Sequence, residues 1–280
     1  MQFFTASDGA RIAYRDEGAG TPFVFLHGLL AHGGFFRAQA ELAERQRLIT
    51  LDLRGHGQSP ANGRAPSIER IARDVGELAA ALDLEGAIGV GWSLGAAVLW
   101  RVLASNAGGR FAGAVIVDMT PRVLNDAGWS LGLTAEACAA RSAAIRDDFT
   151  AFAQTAAQGA FTPGAAALPG WAAQEFAGND PRAMSEVWES LVREDSRALL
   201  GRILQPSLIV HGARSQLYGP ATAAWLAEAL ADARVERFDA SGHAPHLEEP
   251  ERFNLLLSDF AARLSRASTP QSSVSQGDAR

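Results

Sequence analysis

No lysine occurs among the 280 residues; all 25 basic side chains are arginine. That absence excludes Schiff-base chemistry, pyridoxal phosphate attachment and a lysine-bearing phosphate loop. Cysteine is nearly absent too. The single Cys138 rules out an intrachain disulfide, and its Ala-rich surroundings mark it as a small buried hydrophobe. No apolar run approaches the length of a membrane span. The N-terminus has neither a basic n-region nor a long apolar core, so no signal peptide is expected and a cytoplasmic location is. Positive charge is not in excess. A net charge of −6 argues against a nucleic-acid partner. No cluster of His, Cys and acidic residues has ligand spacing, so neither metal nor cofactor is expected.

What is present is an apolar, globular composition: 48% hydrophobic and 20% charged residues, enough for one large domain with a sizeable core. Short apolar strands alternate with helical stretches, which predicts an α/β fold with a mostly parallel sheet flanked by helices. A hairpin is expected at Phe3–Arg15, turning at Asp8-Gly9. Buried strands follow at 23–26, 48–51, 87–90, 114–117 and 208–210, with a last strand at 235–238. Helices are expected near 35–45, 68–82, 94–106, 220–231 and 250–265. The rhythm breaks between Thr120 and Gly201, an Ala-rich stretch with prolines at 163 and 169 and many large aromatics. This predicts a helical lid at 120–200, inserted into a core made of 1–119 and 201–266. The Ser- and Gln-rich stretch 267–280 is expected to be disordered.

Chemistry concentrates on a few turns. Gly91-Trp92-Ser93-Leu94-Gly95 lies between an apolar strand and a helical stretch. A sharp strand-to-helix turn of this kind strains the serine backbone and exposes its hydroxyl, and only small neighbours fit around it. The pattern alone is weak in a chain with 28 glycines, so context must carry it. His27-Gly28-Leu29 follows the strand at 23–26, where a glycine lets backbone amides approach a ligand. Ser241-Gly242-His243 follows the last strand, at the same sheet edge as Ser93. His243 can therefore serve Ser93 as general base and then general acid, with His246 as its rival.

These residues resemble the α/β-hydrolase superfamily. The resemblance is carried by His27-Gly28, Asp52-Leu53-Arg54-Gly55-His56-Gly57-Gln58-Ser59, the turn at Ser93, and Gly242-His243 with Leu247-Glu248-Glu249-Pro250. It covers residues 3–265 and implies an eight-stranded sheet. It also implies an oxyanion hole made by the N–H groups of Leu29 and Leu94, and a structural role for Asp52–Ser59. One departure stands out. Most relatives place the triad acid just after the strand at 208–210, but that loop here is His211-Gly212-Ala213-Arg214-Ser215-Gln216, with Ser215 where the acid is expected. Asp118, at the end of the strand before it, is the replacement. An esterase subgroup resembles this chain in having Asp-x-x-Pro after strand six and a serine in the later loop. Alternatives are a lid carboxylate such as Asp195, or a dyad.

A serine nucleophile excludes the dehalogenase and epoxide hydrolase chemistries of this fold, which need a carboxylate. The expected reaction is hydrolysis of a small to medium, largely apolar ester through an acyl-enzyme. Lactone or thioester hydrolysis, acyl transfer, C–C hydrolysis and an inactive ligand-binding homologue are the alternatives. Expected pocket residues are His27, Trp92, Trp129, Phe149, Phe152, Trp188 and Leu217. The expected partner is a small-molecule ester; a homodimer stays open.

Overall fold

A computed structural model describes residues 1–61, 63 and 65–268. Its strands are β1 (Gln2–Thr5), β2 (Arg11–Gly18), β3 (Pro22–Leu26), β4 (Arg47–Leu51), β5 (Ala87–Trp92), β6 (Phe111–Val117), β7 (Ser207–Gly212) and β8 (Ala233–Phe238). They form one sheet in the order β1-β2-β4-β3-β5-β6-β7-β8. β2 pairs antiparallel with β1 and β4, and every pairing from β4 to β8 is parallel. Every residue of β5 and β7 is buried, as apolar runs at the centre of a parallel sheet must be. Edge strand β8 is mostly exposed.

Between the strands lie α1 (Ile68–Ala81) and α2 (Leu94–Leu103); α8 (Pro220–Ala229), α9 (Pro245–Glu248) and α10 (Pro250–Ser268) complete the core. α1 buries Ile68, Ile71, Val75 and Leu78, one stripe at helical spacing. Its N-terminus is capped by Ser67, whose hydroxyl accepts from the Arg70 N–H at 3.1 Å. The helix expected near 35–45 is a 3-10 run over Gly33–Glu44, bent at Phe36. Two glycines at its start and the kink keep it from winding as a regular α-helix. At the C-terminus α10 takes in Ala267 and Ser268, two residues of the stretch expected to be disordered; the rest of that stretch lies outside the described residues.

The segment between β6 and β7 carries α3 (Ala135–Asp147), α4 (Phe149–Ala160), α5 (Ala167–Ala177), α6 (Pro181–Arg193) and α7 (Arg197–Leu200). Among the described residues it has no strand, only isolated bridges such as Arg122 with Asp195. No described helix is long and apolar enough to cross a membrane. Because β3 and β5 to β8 run parallel, their C-terminal turns share one edge, where open α/β sheets hold their sites.

Candidate active site

Ser93 stands between β5 and α2 with φ +53° and ψ −119°. An L-residue held there stores about 1–3 kcal/mol of backbone strain, sustained only by tight surroundings. Those surroundings are visible at the flanking glycines. A Cβ on Gly95 would lie 2.0 Å from the Leu26 carbonyl oxygen, and one on Gly91 would lie 2.6 Å from the Gly95 carbonyl oxygen. The Ser93 N–H donates to the Val117 carbonyl at 2.9 Å, which ties the turn to the end of β6. Leu94 opens α2, so its N–H has no intrahelical acceptor. A Cβ on Gly28 would lie 3.3 Å from the Ser93 Cβ and from the Trp92 ring, closer than ordinary contact. Next to it, the Leu29 N–H donates to nothing among the described residues. The carbonyl of the following residue, Leu30 (φ +70°), accepts from the Asn179 side chain at 2.6 Å, so the insertion holds this loop.

Asp118 is the first residue past β6, also at positive φ (+46°), with its N–H on the Val210 carbonyl at 2.9 Å. Its carboxylate is buried and accepts three side-chain donors. His243 Nδ1 lies 2.6 Å from Oδ2, the Ser215 hydroxyl donates to the same oxygen at 2.6 Å, and His211 Nδ1 lies 3.4 Å from Oδ1. Burial opposes the charge, but the hydrogen bonds from His211, His243 and Ser215 outweigh it and hold the carboxyl below its usual range. With Nδ1–H committed to Asp118, the neutral imidazole of His243 keeps Nε2 as its acceptor. The His243 loop is seated from below: a Cβ on Gly212 would lie 1.8 Å from the Gly242 carbonyl oxygen. Glu248 fixes it from the side, accepting from the Gly242 N–H at 2.8 Å and from the Thr162 N–H and hydroxyl at 2.8 Å each.

A sequence model of the alpha/beta hydrolase fold family matches residues 21–250. The chain belongs to that family. It is 34% identical over 243 residues to the pimeloyl-[acyl-carrier protein] methyl ester esterase of Chromobacterium violaceum, covering 84% of this chain and 92% of that one. It is 32% identical over 268 residues to a non-heme chloroperoxidase of Streptomyces lividans, covering 91% and 97%. Among solved structures it is similar to an esterase from Exiguobacterium antarcticum, with a TM-score of 0.88, 26% identity, and coverage of 93% of this chain and 98% of that one.

In this α/β hydrolase, Ser93 and His243 line one cavity of roughly 580 Å³ between the sheet edge and the insertion. Trp92, Phe152 and Leu217 line it as expected from sequence, and so does Leu29. Four expected pocket residues do not. His27 is fully buried; its Nε2 accepts from the Leu53 N–H and its Nδ1–H donates to the Gly28 carbonyl, so it orders the loop. Trp129 packs edge-on against Trp225, 4.9 Å between centroids, and donates to the Arg122 carbonyl. Trp188 is buried within the insertion and donates to the Ser142 hydroxyl. Phe149 packs beside Phe152 against the core. Large apolar rings gain most by burial and go into the core, while the cavity is left where the wall is small: Ala140, Ala144, Ala151, Ala156 and Gly159.

The other candidates separate as clearly. His246 is fully buried against Trp92, Phe36 and Phe253, and neither ring nitrogen has a partner among the described residues. Burial pushes its pKa down to about 3. Asp195 is engaged by Arg197 at 2.7 Å and Arg122 at 2.8 Å, and those contacts, hydrogen bonding by Arg197 first, lower its pKa to about 2. Arg54 lies in a buried ion network with Asp74 and Asp8, and Asp52 joins the Gly33 and Gln58 amides, so this turn is structural. His56 is buried edge-on to His27. Among the described residues no group of His, Cys and acids could hold a metal. Missed from sequence were Ser215 as a donor to Asp118, His211 beside it, Tyr218 packed on His243, and the Glu248–Thr162 link. None of these had a local signal, since Thr162 lies 86 positions from Glu248 and Asp118 lies 97 from Ser215.

Proposed function

We propose that the chain is a serine esterase of small, largely apolar carboxylic esters, with Ser93 as nucleophile, His243 as general base and acid, and Asp118 as the triad acid. The observation that carries this reading is the 2.6 Å contact of His243 with the buried Asp118 carboxylate at the wall of the cavity that holds Ser93. Asp118 fixes the imidazole tautomer and stabilises the imidazolium that forms. Ser93 Oγ attacks the ester carbonyl as His243 takes its proton. The N–H groups of Leu29 and Leu94 receive the oxyanion, each worth about 3 kcal/mol in the transition state. His243 then protonates the departing alcohol, and a water deprotonated by His243 hydrolyses the acyl-enzyme. Residues 120–200 act as the lid over this edge. All of these groups come from one chain, so the reaction needs no partner subunit.

A carrier-protein-bound ester, as the name of the Chromobacterium violaceum relative describes, fits less well. The insertion holds six arginines against ten acids, and it would repel an acidic carrier. The test is turnover of p-nitrophenyl acetate and butyrate. The wild type should give an acyl-enzyme burst followed by steady hydrolysis, and Ser93→Ala should lose about 10³-fold or more in kcat. A wild type with neither burst nor turnover sinks the esterase reading.

A further inference from the structure

Helix α3 turns Ala140, Arg141 and Ala144 toward the cavity that holds Ser93 and His243. Arg141 is half-buried there. Four of the other arginines in the insertion are paired: Arg122 and Arg197 with Asp195, Arg182 with Glu186, Arg193 with Glu189. Arg146 is exposed. Arg141 has neither an ion pair nor a hydrogen bond among the described residues; its guanidinium carbon sits 5.7 Å from the centroid of the Trp188 ring. That ring is itself fixed, because its Nε1–H donates to the Ser142 hydroxyl at 3.0 Å and Ser142 donates to the Cys138 carbonyl at 3.1 Å. An aromatic face holds a guanidinium by its plane and leaves the N–H fork at its edge free.

Two acids share the cavity wall, Asp147 and Asp148. Both are exposed, and the Asp148 carboxylate caps α4 by accepting from the Ala151 N–H at 3.0 Å. They stand six and seven residues past Arg141, about 9–10 Å along a helix axis. The wall is therefore cationic at one end and acidic at the other. Arg141 lines the same cavity as Ser93 and His243. A half-buried guanidinium that lines a cavity and meets no hydrogen-bond partner among the described residues is held by water that an anion can displace, and a carboxylate matches its fork with two parallel hydrogen bonds.

We propose that Arg141 is a specificity-determining residue that binds a carboxylate carried by the substrate, so that the preferred esters are anionic half-esters of short dicarboxylic acids. This rests on the esterase reading and narrows it to esters that are apolar at the scissile end and carry a carboxylate at the other. The test compares monomethyl glutarate with dimethyl glutarate, the same ester with and without the charge. In wild type the half-ester should be the better substrate by kcat/KM. Arg141→Gln should lower the ratio of half-ester to diester by about tenfold to a hundredfold, through KM, as expected for a charge-assisted pair. Arg141→Lys should fall between the two, because it keeps the charge and loses the fork. A ratio unchanged by Arg141→Gln, or a wild type that prefers the diester, overturns the proposal. Calorimetric binding of monomethyl glutarate to Ser93→Ala separates it from the esterase reading, since binding needs no chemistry. Binding that disappears in Ser93→Ala/Arg141→Gln supports the anion site whatever the wild type hydrolyses. Binding that is absent from Ser93→Ala, or equal in both proteins, overturns it.

Discussion

The cavity has two sides built on different principles. One side is the sheet edge, where three turns deliver Ser93, Asp118 and His243 from the ends of β5, β6 and β8. Each turn is locked by backbone: Ser93 to Val117, Asp118 to Val210, Gly212 beneath Gly242. The other side is α3, α4 and Phe176 of α5, with a wall of alanines and one unpaired guanidinium. The first side has almost no freedom, since two of its residues are held at positive φ by the strands beneath them. The second touches the reaction only through side chains that can be exchanged without moving a strand. On the proposed function, reaction type would belong to the first side and substrate choice to the second.

The largest effect should come from breaking the first side at its least usual member. Asp118→Asn keeps the shape of the site but removes the charge that orients His243. Loss of a triad carboxylate in this way costs about 10⁴-fold in kcat. Asp195→Asn, in the segment between β6 and β7 but off the cavity wall, should leave kcat within about twofold, because it breaks only ion pairs with Arg122 and Arg197 near the surface. Steady-state kinetics on p-nitrophenyl butyrate, with circular dichroism to confirm folding, decides between them. The reverse ranking would place the triad acid in the insertion and undo the division drawn above.

That division also sets what the sequence could reveal. The strands were readable because a buried parallel strand must be apolar along its length, as at Ile88-Gly89-Val90 and Leu208-Ile209-Val210. Asp118 was singled out because it ends the strand beside the Ser93 turn, and it lies 2.6 Å from His243. The segment between β6 and β7 was readable as helical but not helix by helix: α3 is rich in alanine and buries only Cys138 and Ile145, so periodicity gave it no face, whereas α6 buries Met184, Val187, Trp188 and Leu191 at helical spacing. The aromatics Trp129, Phe149 and Trp188 looked like pocket residues because they are large, yet Trp129 and Trp188 are buried in the packed interior and Phe149 lies half-buried against it. Ser215 was noticed only as the wrong residue for an acid. Its value as a hydrogen-bond donor depends on Asp118, 97 positions away, and no local pattern encodes a pair at that distance.

One side chain fastens the two sides together. Glu248 accepts from Gly242 in the His243 loop and from Thr162 in the insertion. Glu248→Ala leaves four donors, the N–H groups of Thr162, Gly242 and Ala244 and the Thr162 hydroxyl, without their carboxylate, and should destabilise the fold by about 2 kcal/mol, since water can replace part of what is lost. It should also lower kcat by about tenfold by loosening His243, a misplacement effect rather than a loss of chemistry. Urea unfolding and kcat measured together check this. A variant with normal kcat and normal stability would mean that the sides are held together elsewhere, for example by Asn179 on the Leu30 carbonyl.

The smallest effect sits three residues from His243, at a histidine of the same loop region that has no charge to manage. His246 lies among Trp92, Phe36 and Phe253, and burial holds its pKa down to about 3; burial does the same to His27 and His56. In the unfolded chain each takes up a proton below its ordinary value of 6.5. Between pH 6.5 and 3 the unfolded state therefore binds more protons than the folded one. Their stabilising contribution is full above pH 6.5 and is lost as the pH falls. The steepest slope is about 1.4 kcal/mol per pH unit for each histidine. His246→Phe should fit the same slot, stay within about 1.5 kcal/mol of wild type at pH 7.5, and remove one histidine's share of that slope. Urea midpoints at pH 7.5 and 5 measure it. Parallel lines for the two proteins would show that His246 titrates normally, and that its surroundings are wetter than a ring with two unpartnered nitrogens implies.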